Sequence, residues 1–179
     1  MKHGKVIWIT GLSGSGKSTL AKGLSKELKL RGENIISLDG DDLRAILSKT
    51  KNSTEKFSRA DRLQLAMMYS KLCKALAGQG FTLVISTISM FDEIYIWNTE
   101  NLPNYFQVYL EVPLQALEKR DPKGIYEKFR QGKIKNVVGL DQPFDEPTNA
   151  DWKPAYNPNR KADLLVKDLI TILLERDYL

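Results

Sequence analysis

The chain has 179 residues, the size of one domain, and its 42% apolar and 27% charged residues exclude a disordered or low-complexity polypeptide. Its one cysteine, Cys73, excludes a disulfide framework and a cysteine-built zinc site, and its one histidine, His3, argues against a histidine-centred triad or metal cage. The formal charge of +5 fits nucleic acid, a phosphorylated ligand or simple solvation, so its distribution has to decide.

The first residues, Met1-Lys-His-Gly-Lys5, lead directly into an apolar strand pattern, without the longer apolar stretch and cleavage site of a signal peptide. No apolar run approaches the roughly 20 residues that cross a bilayer, so a cytoplasmic protein with no membrane partner is expected. Residues 5–10 read as a buried strand bounded by Gly11. Residues 18–31 carry Leu20, Leu24 and Leu28 at helical spacing, and Gly32 suits the end of that helix. A second strand is expected at 35–38 and a third at 81–86. Between them, residues 59–77 read as a helix with Leu63, Met67 or Met68, Leu72 and Leu76 facing inward and Cys73 as small core packing. A fourth strand, 106–112, precedes a Lys/Arg-rich helical stretch from 114 to about 135, and 139–158 read as irregular. The last helix is expected to open with Asn157 as its cap and Pro158 in its first turn, with Leu165, Leu169 and Leu173 as its apolar stripe. Alternating strands and helices predict an α/β fold with a parallel sheet covered on both faces. With no internal repeat and no long linker, residues 1–179 are expected to form one domain.

The strongest signal is Gly11-Leu-Ser13-Gly14-Ser15-Gly16-Lys17-Ser18, followed by Thr19, which matches G-x-x-x-x-G-K-[ST] between a strand and a helix. Glycines let the backbone curl so that successive N–H groups face phosphate oxygens, and the following helix adds its positive end. Lys17 can bridge the outer phosphates and the Ser18 hydroxyl can ligate Mg²⁺. Chance would produce the four fixed positions in a chain of this length roughly 1% of the time. A P-loop nucleoside triphosphate site is therefore expected, with ATP and Mg²⁺ as the implied cofactors.

Two further clusters decide between a kinase and a switch. The guanine-reading N-K-x-D is absent, and Asp121-Pro-Lys-Gly124 follows the fourth strand, too late for a switch loop. Instead the second strand ends in Leu38-Asp39-Gly-Asp41-Asp42-Leu-Arg44, on the ligand side of a parallel sheet. One carboxylate there can accept a hydroxyl proton or help to hold Mg²⁺, and Arg44 can grip an anionic acceptor. A solvated Asp-rich helix start is the bland alternative. The second cluster runs from Lys119-Arg120-Asp-Pro-Lys123 to Lys135. It reads either as a solvated basic face or as a lid, approximately 119–141, that supplies Arg120 and Lys123 to the transferring phosphoryl. The charge supports the second: residues 1–56 hold eleven Lys/Arg against six acids, and 119–135 hold seven against two. Excess charge at a phosphate loop and a lid suits paired phosphorylated ligands better than a nucleic-acid track.

Taken together, these runs resemble the adenylylsulfate (APS) kinase family, which makes 3′-phosphoadenylylsulfate from ATP and APS. The matching stretches also include Phe57-Ser-Arg-Ala-Asp-Arg62, Ile88-Ser89, Gly132-Lys-Ile-Lys135 and Gly139-Leu-Asp141. The resemblance implies Asp41 at the acceptor hydroxyl with Asp39 near it, and Arg44 and Arg62 on the acceptor's anionic groups. It also implies Phe57 stacked on the acceptor base, Ile88 lining the pocket, and Arg120 to Lys135 as the lid. Family members are often homodimers, though no interface can be read in this sequence.

Departures from the family pattern bear on the acceptor. Leu65, Met67 and Met68 stand where the family has an Asn and an Arg-Arg pair, and Met90 replaces the Pro of Ile-Ser-Pro. Asn136-Val137-Val138 replaces a run with an aromatic that stacks on adenine, and a polar insertion occupies 48–55. Losing an aromatic forfeits about 1–3 kcal/mol of stacking. Losing hydrogen bonds to a charged ligand forfeits roughly 1.5–3 kcal/mol each. Either Leu65, Met67 and Met68 simply pack a helix, or the acceptor is another nucleotide with a 3′-hydroxyl. The second is preferred: one branch of the family, tied to capsule phosphoramidate synthesis, phosphorylates cytidine diphosphoramidate, and this pocket resembles such a retuned site. The alternatives are an APS kinase of sulfate assimilation, a small-metabolite kinase of shikimate or gluconate type, and a non-catalytic nucleotide-sensing or RNA-binding module.

Overall fold

A computed structural model describes residues 4–47 and 58–179. Four parallel strands, β1 (Lys5–Thr10), β2 (Ile35–Asp39), β3 (Thr82–Ser86) and β4 (Tyr105–Tyr109), form one sheet in the order β2-β3-β1-β4. Strands buried on both faces read as unbroken apolar runs, and β1 shows why. Its Ile7 and Ile9 point to one core with α1 (Lys17–Leu30) and α7 (Ala162–Glu175). Its Val6 and Trp8 point to the other, under α3 (Arg59–Ala77) and α4 (Asp92–Asn101). The chain crosses from β1 to β2 on the first face and from β3 to β4 on the second, which leaves a crevice at the carboxyl ends of β1 and β3. Asp39 and Ser86, each the last residue of its strand, pair in register there.

The predicted end of α1 holds. Gly32 takes φ 83, its N–H reaches Lys29 O at 3.0 Å, and Glu33 N reaches Leu28 O at 3.1 Å, closing a Schellman motif. Within α3 the deepest positions are Ala66, Tyr69, Ser70, Cys73 and Ala77. The expected Leu63, Leu72 and Leu76 flank this stripe with Met67, and Met68 is 41% exposed. Small residues let α3 approach the sheet, so the larger side chains splay to its sides.

Three expectations change. The stretch from 114 is not one helix: α5 (Leu114–Arg120) and α6 (Ile125–Arg130) are separated by Asp121 at φ 21 and Gly124 at φ 62. Pro122 has no donor to continue a helix, and the Asp121 carboxylate caps α6 instead, accepting from Ile125 N and Glu127 N at 2.9 Å each. The last helix starts at Ala162, not beside Asn157. Asn157 closes its own turn, accepting Asn159 N on its side chain at 2.9 Å and Arg160 N on its carbonyl at 3.1 Å. The fourth strand ends at Tyr109, short of Val112. Two helices, α2 (Gly40–Leu47) and α4, went unread as elements. A third apolar cluster, with Leu12, Leu117, Tyr126 and Val137 buried in it, seats the basic segment on the phosphate loop. Among the described residues no helix is long and apolar enough to cross a membrane. His3, Phe57 and the 48–55 insertion lie outside the described residues.

Candidate active site

The glycine-rich turn follows from its first residue. Gly11 takes φ 150, and a Cβ there would lie 2.6 Å from Leu110 O, so the chain can leave β1 this closely against β4 only as glycine. Gly16 then enters α1 at φ 99 as its N-cap. The loop is held from outside as well, because Tyr126 of α6 donates its hydroxyl to Ser13 O at 2.9 Å. Lys17 folds back over the loop, its Nζ 2.8 Å from Leu12 O and 3.5 Å from Ser15 Oγ. Burial lowers its ammonium to a pKa of about 8; nearby Lys123 pushes the same way, and Asp41 and Asp39 partly oppose it. A desolvated cation in a ring of backbone amides is set to receive negative charge.

Asp39 is the hub of the crevice. Its carboxylate accepts from Ser18 Oγ at 2.7 Å, Ser86 Oγ at 3.0 Å and Asp41 N at 2.9 Å. Partial burial works to raise its pKa, but these hydrogen bonds outweigh burial and hold the carboxyl below its ordinary value. The Ser18 hydroxyl and Asp39 carboxylate form the sparse oxygen set that Mg²⁺ uses when phosphates and water complete its shell, so the residues fit that ion. Among the described residues no cluster of three or more His, Cys, Asp or Glu offers an all-protein metal cage.

Asp41, at the start of α2, is exposed and ion-paired to both Arg44 and Lys123. Arg62 of α3 reaches Asn136 O at 2.6 Å; burial lowers its pKa, and the neighbouring Arg44 adds to that. The Ile88 carbonyl is held by the Thr10 hydroxyl, and Val137 is buried beside it in the third cluster. A cavity of about 470 Å³ joins these residues, running from Lys17 and Ser18 past Asp39 and Asp41 to Arg62, Ile88 and Val137. Ser13, Gly14, Gly16 and Thr19 line it too, as do Arg44 and Lys123. Gly11 lies behind the loop.

Arg120 and Lys123, expected together at the transferring phosphoryl, line different cavities. Lys123 caps Asp41, whereas Arg120 lies in a second cleft of about 300 Å³ opposite Ser15, Gly16 and Thr19. There its guanidinium sits 5.4 Å over the Tyr156 ring, with Nη2 3.3 Å from the Tyr156 hydroxyl. The break at Asp121 lies between the two cations. Of the three departures on α3, Leu65 lines the main cavity, Met67 packs into the core, and Met68 faces outward.

Several cavity residues were missed. Tyr69 donates to Gly40 O at 3.2 Å, and Thr87 and Ser89 share a 2.8 Å hydroxyl contact. Arg59 is pinned by Glu93 and Asp145, with its guanidinium over the Phe91 ring. Arg59 and Ser89 stand inside sequence runs already singled out, but only their neighbours in space give them a role.

The adenylylsulphate kinase family model matches residues 3–153. The chain is 41% identical over 168 residues to a cytidine diphosphoramidate kinase of Campylobacter jejuni, covering 92% of this chain and 95% of that protein. It is 40% identical over 148 residues to an adenylyl-sulfate kinase of Deinococcus deserti, covering 83% and 80%. Among solved structures, the Mycobacterium tuberculosis APS kinase in complex with AMPPNP and APS matches with a TM-score of 0.85 at 35% identity. That match covers 97% of this chain and 99% of the other.

Proposed function

The chain belongs to the adenylylsulphate kinase family, and we propose that it transfers the γ-phosphoryl of ATP to the 3′-hydroxyl of a nucleotide, with cytidine diphosphoramidate as the acceptor. An ATP-dependent phosphotransferase is the common ground of its relatives. The acceptor reading rests on one observation: Val137 and Val138, which stand where the family has an adenine-stacking aromatic, line the same cavity as Lys17 and Asp41, together with Ile88 and Leu65. Such a slot suits a small pyrimidine better than a purine that needs an aromatic on each face.

In this reading the donor base enters the Arg120–Tyr156 cleft and the phosphates wrap the loop. Lys17 and the loop amides stabilise charge on the phosphoryl in flight. Ser18 and Asp39 are the residues that would hold Mg²⁺, which would supply charge neutralisation at the phosphates. Asp41 aligns the acceptor hydroxyl and takes its proton, while Arg44 and Arg62 hold the acceptor's anionic groups. Lys123 leaves Asp41 for the phosphates as the site fills. Catalysis of this kind is mainly positioning and electrostatics.

The test is to incubate the protein with Mg-ATP and either cytidine diphosphoramidate or adenylylsulfate, following ADP release and product mass. Turnover of the cytidine compound is expected, with kcat reduced by orders of magnitude in Asp41→Ala at saturating ATP. Rapid turnover of adenylylsulfate alone would sink the preferred acceptor. ATP consumed with neither compound would point away from both.

A further inference from the structure

The phosphate loop is gripped from outside by the segments that follow β4. Leu12 is buried in the third apolar cluster with Leu117, Tyr126 and Val137. Gly139 packs so closely there that a Cβ would lie 3.0 Å from Leu12 Cδ1. A Cβ on Gly14 would meet Pro122 Cδ at 3.4 Å and Leu117 Cδ2 at 3.7 Å. A polar bond crosses as well, from the Tyr126 hydroxyl to Ser13 O at 2.9 Å. Tyr126 is 2% exposed, and burial, with Asp121 and Glu118 adding to it, pushes its phenol up to about 12, so the hydroxyl stays a donor at neutral pH. Its place is fixed on both sides, because the Asp121 carboxylate holds the N–H groups of Ile125 and Glu127.

That bond bears on which way one peptide unit of the loop faces. Ser13–Gly14 is a trans unit, and in a planar trans unit the C=O and the N–H point in opposite directions. With Ser13 O turned to Tyr126, the Gly14 N–H points away from it. A phosphate loop works with its N–H groups toward the phosphates and hence its carbonyls outward. Ser13 and Gly14 line the main cavity with Lys17 and Ser18, and Tyr126 stands behind them in the apolar cluster. The loop's own sequence does not secure this orientation. Gly14 has φ 77, and turning the unit over would carry it to about −100, which glycine adopts as readily. The turned unit would aim the Ser13 carbonyl, not the Gly14 N–H, at the phosphate oxygens. The bond from Tyr126 makes the two orientations unequal.

We propose that Tyr126 is a positioning residue: its hydroxyl holds the Ser13–Gly14 peptide so that the Gly14 N–H meets the outer phosphates of ATP, where charge builds as the phosphoryl leaves. This rests on the reading of the loop as the donor site of a kinase and is independent of which acceptor is used.

The experiment is Tyr126→Phe, which keeps the ring in its cluster and removes the hydroxyl. Turnover is read with whichever of cytidine diphosphoramidate and adenylylsulfate the unaltered protein uses. At saturating Mg-ATP, kcat should fall about tenfold, less than the roughly 10²–10³ of deleting a donor outright. The KM for the acceptor should stay within about twofold, since the lost bond belongs to the donor side. A second readout needs no acceptor. In isotope-labelled protein, the Gly14 amide proton should move downfield when AMPPNP binds, and Tyr126→Phe should lose that shift. Packing alone predicts a lower unfolding midpoint with kcat and the Gly14 shift unchanged, and that result would overturn the inference. So would an unaltered protein whose Gly14 amide does not respond to AMPPNP. If the unaltered protein phosphorylates neither compound, the kinase reading fails by itself, and the Gly14 amide still decides the inference.

Discussion

Lys17 is a buried ammonium whose nearest help, Asp41 and Asp39, does not make up for the water it has lost, and its pKa falls to about 8. The sign follows directly: a lysine whose folded pKa lies below its ordinary 10.5 is partly neutral above pH about 8, until a phosphate restores its charge. ATP binding measured slightly above that pH should therefore take up a fraction of a proton, seen as a difference in binding heat between buffers of unlike ionisation enthalpy. Identical heats in both buffers would contradict the assignment. The identity of Lys17 was plain in the sequence because its motif is contiguous. The division of labour between Asp39 and Asp41 was not, since it depends on Ser18 and Ser86 reaching one carboxylate and Lys123 the other. Phe57, implied as a base-stacking residue, lies outside the described residues.

Helix α3 shows how a local signal positions the site. Ser58 and Asp61 form a reciprocal capping box, with Asp61 N 3.2 Å from Ser58 Oγ and Ser58 N 3.2 Å from Asp61 Oδ2. The first turn that they stiffen carries Arg59 and Arg62 to the cavity. Ser58→Ala should cost about 0.5–2 kcal/mol in denaturant unfolding and raise KM for the acceptor more than for ATP. An unchanged unfolding midpoint would show that the cap is dispensable. By contrast, α4 carries no comparable signal. Its N-cap, Phe91, offers no side-chain bond, and Asp145 from a distant loop meets the N–H of Asp92 instead. Sequence periodicity reads helices that close their own ends; α4 is closed by tertiary structure. The opposite error occurred at Asn157, where a good cap residue spends its capping oxygen on a turn.

At the scale of the molecule, the sheet and its two cores present the crevice, and α7 completes one of them. Leu169, fully buried against that core, should cost about 2–5 kcal/mol as Leu169→Ala and lower the thermal midpoint by roughly 5–15 °C. A shift of less than a degree would mean that α7 is not part of the cooperative unit. The charge excess also resolves by position: Lys123 turns to Asp41, Arg120 to the second cleft, and Arg130 to an ion pair with Glu118. The G-x-x-x-x-G-K-S motif, the four strands and the apolar stripes of α1 and α7 were legible in the sequence alone, because each depends on residues within one or two turns of each other. Tertiary structure decided what Asp41 faces and that Arg120 and Lys123 line different cavities. Lys123 and Asp41 are 82 residues apart, and Arg62 and Asn136 are 74 apart. Contacts over such distances are set by how distant segments pack together, for which no local periodicity codes.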